Sequence, residues 1–263
     1  MLKRYIGLYI HMFKLNIKKE LEYKANFVIA VFTNLPLQII EFLFIWIIFQ
    51  NISSLNGWTF YEMSLIYGIM ITCKGLADVF FDNLYEVCKV YVRQGLFDTM
   101  LTQPVNIIFN VIAKDFYLGA IGGVILGIVM IFVSISNLAI SFGIIQVLLL
   151  IMFIILGTFI FGGLMLIATV SALWIVEALD VVWTTYVIHQ FALYPIGVYN
   201  TFIKVFITCI FPYAFVSYYP ATFLLGKEGG HMAFLAPLVV LVLWIVAGNV
   251  WRFALKRYGS TGS

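Results

Sequence analysis

The chain has 263 residues, 63% of them apolar and 10% charged, where soluble chains carry about 25% charged residues. That balance excludes an ordinary soluble enzyme and marks an integral membrane protein. The net charge of +3 points to no partner by itself, so the information lies in where the charges sit.

Met1 to Lys24 carries six basic residues among tyrosines and aliphatic residues, with Ile6, Tyr9, Ile10 and Phe13 at helical spacing. The segment predicts a helix lying in the cytoplasmic interface, over residues 1–24. No cleavable signal peptide is expected, because no compact apolar core with a small-residue cleavage site is present. The apolar blocks that follow are about 20 residues or more, the length a helix needs to cross hydrocarbon. They give six expected crossings at about 26–49, 61–83, 116–135, 143–170, 181–198 and 232–255.

The first crossing holds Asn34, Gln38 and Glu41 at i, i+4 and i+7, on one helical face, with Pro36 a candidate kink. The second holds Lys74, Asp78 and Asp82 on another such line. An unpaired lysine in mid-membrane costs about 2.5–3.5 kcal/mol on insertion scales. Asp78, one turn away, is the expected partner in preference to Glu41. A structural ion pair and a contact on a transport path both remain open for this polar network of Asn34, Gln38, Glu41, Lys74 and Asp78. Asn51 to Phe60 reads as an external loop with an interfacial tryptophan, Trp58.

Between the second and third crossings lies Lys89 to Asn106, KVYVRQGLFDTMLTQPVN. Gly95 supplies a bend, Asp98 suits the positive end of a new helix, and Pro104 ends it. A surface helix over 95–103 is expected, with Leu96, Phe97, Met100 and Leu101 as its apolar part. It reads either as a handle for another protein or as an ordinary connecting loop.

The third crossing carries Gly119, Gly123 and Gly127, a small residue every fourth position, which predicts close helix packing. The fourth carries Gly157, Gly162 and Gly163. Glu177 and Asp180 mark a cytoplasmic turn before the fifth, where His189 is expected as a hydrogen-bonded packing residue. Residues 199–225 include Lys204, Pro212, Pro220 and a run of tyrosines. A re-entrant or interfacial external element there keeps the basic residues of the C-terminal tail, 256–263, inside. It leaves twelve basic residues internal and only Lys204 and Lys227 external, with Lys74 inside a span, as the positive-inside bias requires. Cys73, Cys88 and Cys209 have no paired or metal-ligand spacing.

No phosphate-binding loop, zinc motif or nucleophile elbow occurs. A bundle with an exposed handle and no engine of its own suggests a subunit driven by a separate protein. The stretch VRQGLFDTMLTQPVN at 92–106 resembles an element of the permease subunits of bacterial type-2 ABC transporters, the mostly exporting class. YPIGVYN, PYAFVSYYPATFLLG and the terminal RYGSTGS match as well, and the likeness covers nearly the whole chain.

The resemblance implies an all-α polytopic bundle of six helices, both ends cytoplasmic, in the bacterial cell membrane. It implies a pair of permeases, identical or paralogous, with ABC ATPase subunits docked below. The 95–103 helix would be the coupling helix, shaped by Arg93, Gly95, Leu96, Asp98, Leu101 and Pro104. None of these is catalytic, and no cofactor is expected on this chain: ATP and magnesium would sit on the ATPase. Transport would be export by alternating access. The rival class is an autonomous ion-coupled transporter or channel using Lys74, Asp78 and Glu41. An integral membrane enzyme acting on lipid finds no acid/base or metal constellation to support it.

Overall fold

The computed structural model describes residues 2–138, 142–175 and 178–259. It is a helical bundle, and among the described residues the β contact is a single isolated bridge between Leu55 and Trp58. The helices are α1 (Leu2–Glu22), α2 (Lys24–Asn51), α3 (Phe60–Phe81), α4 (Asn83–Glu86), α5 (Leu96–Leu101) and α6 (Ile107–Lys114). They continue with α7 (Ile121–Asn137), α8 (Ile144–Thr169), α9 (Leu179–Ile188), α10 (Thr201–Val205), α11 (Tyr218–Leu224) and α12 (Ala236–Leu255). Among the described residues, five helical segments are long and apolar enough to cross a membrane: 24–51, 60–81, 118–137, 144–173 and 230–255.

α3 is the centre of the bundle, and most of its residues are buried. It packs against α7 and α8, while α12 covers the far side of α8. Glycines set these approaches, and they answer which helices the third crossing meets. A Cβ at Gly119 would lie 2.7 Å from Ala30, and one at Gly123 would lie 2.6 Å from Gln38, so both glycines admit α2. A Cβ at Gly127 would meet the backbone of Thr72 and Gly68, so that glycine admits α3. Gly157, Gly162 and Gly163 do the same for α8 against Cys73, Phe81 and Leu243.

Several element limits differ from the sequence expectation. The third crossing starts as a 3₁₀ turn at Leu118–Ala120, after an extended Asp115, and runs on to Asn137. α2 continues unbroken through Pro36. Trp58, expected at the membrane interface, lies against other parts of the protein. It is 5% exposed, covered by Tyr218 and by the Lys227 ammonium 4.3 Å from its ring. Glu177 lies outside the described residues.

The fifth crossing is not a continuous helix. α9 gives way to 3₁₀ turns at His189–Leu193 and Ile196–Val198. It is not among the segments long and apolar enough to cross, and its far end reaches the loop between α2 and α3, where Gly197 abuts Asn56. α10 then runs into a π turn at Phe206–Ile210, and the segment Thr201–Ile210 meets Tyr213–Leu224 at a 75° bend. After the bend the chain returns to its starting end. There Lys227 Nζ binds the Gly57 carbonyl oxygen and Glu62 Oε2, both at 2.9 Å. Both limbs of the bent pair therefore open at the α2–α3 loop. Prolines and broken helix are tolerated at that depth because other protein elements cover them.

At the opposite end, α1 lies across α6, with Tyr5 and Tyr9 packed on Phe109 and Phe13 on Phe116. The Tyr5 hydroxyl accepts from the Asn106 amide, and Lys19 pairs with Asp115 at 3.1 Å. The end of α12 and the start of the tail reach the same region through Phe97 and Tyr258. The two ends of the described chain thus share one end of the bundle with α5 and α6.

Candidate functional site

Two constellations stand out: the short helix α5 at the end where the chain begins and finishes, and a polar cluster within the bundle.

α5 is built by a sharp break in the preceding helix. α3 continues through α4 into a π turn at Val87–Tyr91, where the Val92 amide donates to Val87 at 3.0 Å. Gly95 then takes φ 68°, a left-handed conformation that costs glycine little. The helix that follows is Leu96–Leu101, shorter than the expected 95–103, with residues 102–104 forming the turn that leaves it. Asp98 lies in its first turn.

The four apolar residues of α5 do not share a face. Phe97 and Met100, at i and i+3, are fully buried. Phe97 packs edge-on against Trp251 of α12 and Tyr258 of the tail, with centroid separations of 6.3 and 5.3 Å. Leu96 and Leu101 are 41% and 38% exposed, and Arg93 and Pro104 are exposed with them. The sequence marks Phe97 only as one of four apolar residues of this helix; it is the anchor. Its i+3 relation to Met100 was the available signal. α5 is pinned from below as well: α6 is capped by the Asn106 side chain, and Asn110 Nδ2 donates to Gln103 Oε1 at 2.8 Å. The result is a short helix that is rigidly seated yet offers two leucines and an arginine outward.

The polar cluster centres on Asp78. Lys74 Nζ lies 3.0 Å from Asp78 Oδ2, and both side chains are less than 15% exposed. The Tyr186 hydroxyl donates to the same carboxylate, 2.9 and 2.8 Å from its two oxygens, while the Lys74 ammonium sits 4.5 Å from the Tyr186 ring centroid. One carboxylate thus answers the lysine and the phenol, and the phenol's ring face answers the lysine again. His189 Nδ1 donates to the Tyr186 carbonyl oxygen, so His189 braces the residue that braces Asp78. Its Nε2 is buried and, among the described residues, has no hydrogen-bond partner.

The bend between the two limbs of the 201–224 pair reaches this cluster. The Tyr213 hydroxyl donates to the Thr185 carbonyl oxygen at 2.9 Å, and its ring packs on Phe161 and His189. Asp78, Asp82, Tyr186 and Tyr213 border a hollow of about 20 Å³, room for a single water and no larger molecule. Asp82 lines the hollow but lies beyond the ion pair.

The α2 line lies apart from this pair. The Asn34 amide donates to the Ala30 carbonyl oxygen and to the Tyr117 hydroxyl, at 2.9 and 2.7 Å. The Gln38 side chain fills the space over Gly123, and the Gln38 backbone carbonyl oxygen accepts from the Tyr67 hydroxyl. Glu41 neighbours Tyr67 and Gln190 and lies within electrostatic reach of Lys74 without pairing to it. Sequence reasoning found Lys74 with Asp78 but missed Tyr186 and Tyr213, whose segments meet α3 only through the tertiary fold.

No metal-holding group of three or more His, Cys, Asp or Glu residues occurs among the described residues. Cys73 and Cys88 are buried and Cys209 is exposed, all three as free thiols.

No curated protein and no solved structure matches the chain. The family described as "ABC-2 family transporter protein" matches it over residues 35–262, from the middle of α2 through the tail. That match covers α5, the Asp78 cluster and the bent pair 201–224 together. With its multi-pass helical bundle, the chain belongs to the ABC-2 transporter family, as a membrane permease of an ABC transporter.

Proposed function

We propose that this permease exports a substrate across a bacterial cell membrane, driven by ATP hydrolysis in a separate nucleotide-binding subunit that grips α5. The two chain ends and α5 face the cytoplasm in this reading. The distribution of charge supports it: Lys3, Arg4, Lys14, Lys18, Lys24, Arg93, Arg252, Lys256 and Arg257 belong to the segments gathered at that end.

The observation that carries the proposal is the two-faced seating of α5. A loop with no mechanical role needs no anchor, yet Phe97 and Met100 are fully buried while Leu96 and Leu101 stay exposed. A force applied at the leucines would pass through Phe97 into Trp251 and α12. Closure of an ATPase pair around ATP would move two such helices together and open the bundle outward. ATP can bias that equilibrium only by its different affinity for the two states. Six crossings enclose little volume, so a second permease, identical or paralogous, is part of the proposal.

The autonomous-transporter reading gains nothing from the geometry. Lys74 is neutralised by Asp78, Tyr186 completes the carboxylate, and the adjoining hollow has room for one water. The test is reconstitution of the permease with and without co-purified ATPase. Export that requires both subunits and ATP supports the proposal; flux from the permease alone overturns it.

A further inference from the structure

The membrane-facing side of α12 is not smooth. A groove of about 560 Å³ runs between α12 and α8, bordered by Phe159, Val240, Trp244, Gly248, Asn249 and Arg252. Past Phe159 and Trp244 it adjoins a second apolar hollow of about 520 Å³, reaching Leu76, Ile155 and Tyr9. The Trp244 indole is held by its bond to the Phe159 carbonyl oxygen at 2.9 Å, so this wall is fixed. Gly248 borders open space in the groove: a Cβ there would meet nothing within 4 Å.

We propose that this groove holds one anionic phospholipid of the leaflet at the α5 end, with an acyl chain along α12 and the phosphate on Arg252 and Lys256. Three observations choose that occupant. Val240 to Arg252 spans about 18 Å of helix, close to the ~15 Å depth of one leaflet's hydrocarbon. The apolar walls end at Asn249 and Arg252, and Lys256 follows one turn on. Both cations are exposed, and among the described residues neither side chain makes an ion pair or hydrogen bond. Basic residues at the rim of a groove between membrane helices recognise anionic head groups. Calling this the cytoplasmic leaflet rests on the orientation proposed above; binding itself does not.

Native mass spectrometry of the full-length permease in detergent, titrated with phosphatidylglycerol or phosphatidylethanolamine, tests the proposal without any ATPase. The expected result is one tightly held phosphatidylglycerol and no comparable phosphatidylethanolamine. Arg252→Gln with Lys256→Gln should weaken retention about 30-fold, with unfolding in lipid-free detergent unchanged. Gly248→Leu, which fills the groove, should abolish retention. Should that variant fail to fold, the surface double substitution decides alone. Equal retention of both lipids, or retention untouched by the double substitution, overturns the proposal. So does disulfide trapping of Gly248→Cys into a dimer, which would put a second copy in the groove.

Discussion

Phe97 on α5 packs edge-on against Trp251 on the last membrane helix, and both side chains are buried. This contact joins a six-residue surface helix to a 20-residue crossing. Phe97→Ala removes a large buried ring, and the expected cost is about 3–5 kcal/mol. Thermal unfolding in detergent measures it. Phe97→Leu keeps most of the volume and should retain the fold while loosening α5. Its expected signature is ATPase binding near normal with poor transport. A Phe97→Leu permease that exports at full rate would remove Phe97 from the path of force.

The Lys74–Asp78 pair separates structure from transport by a double substitution. Asp78→Asn leaves an uncompensated buried lysine and should destabilise by about 3–5 kcal/mol. Replacing both by Met and Leu restores an apolar, well-packed site and should recover most of that loss. Full transport in the stable double variant is the expected outcome. A stable double variant that cannot transport would place the pair on the substrate path instead. Tyr186→Phe removes hydrogen bonds to a charged acceptor and should cost about 1.5–3 kcal/mol.

Close packing predicts a contrast between two glycines on membrane helices. A Cβ at Gly127 would lie 2.7 Å from the Thr72 backbone nitrogen, and one at Gly248 would meet open space. Gly127→Ala should destabilise by about 1–3 kcal/mol through overpacking. Gly248→Ala should be neutral or slightly stabilising. Equal effects at the two positions would contradict the packing described for α7 against α3.

The re-entrant reading makes a labelling prediction. Cysteines at Gly197 and Lys227 should both react with a membrane-impermeant thiol reagent applied from outside. A cysteine at Arg93 should react only after the membrane is opened. Protection of Lys227→Cys with labelling of Gly197→Cys would mean that the 201–224 segment crosses once.

Much of this fold was legible in the sequence because membrane burial imposes long apolar blocks and segregates charge. The i, i+4 spacing alone was enough to couple Lys74 to Asp78. The breaks after Ile188 in the expected fifth crossing were not legible, since they depend on the bend of the 201–224 pair packing beside it. Tyr186 and Tyr213 escaped for that reason: they approach α3 from segments more than 100 residues away in the chain. The orientation of α5 was also hidden, because fewer than two turns give too little periodicity to show which apolar residues point inward.

Leu101 provides the most direct test of the central claim, that α5 couples a separate ATPase to the bundle. A photocrosslinking residue at Leu101 should give an ATP-sensitive adduct with a cytosolic ATPase, and one at buried Phe97 should not. The same Leu101 replaced by Asp should abolish stimulated ATP hydrolysis while the permease still inserts. Absence of any ATPase adduct at Leu101 or Leu96, with transport intact, would contradict the account.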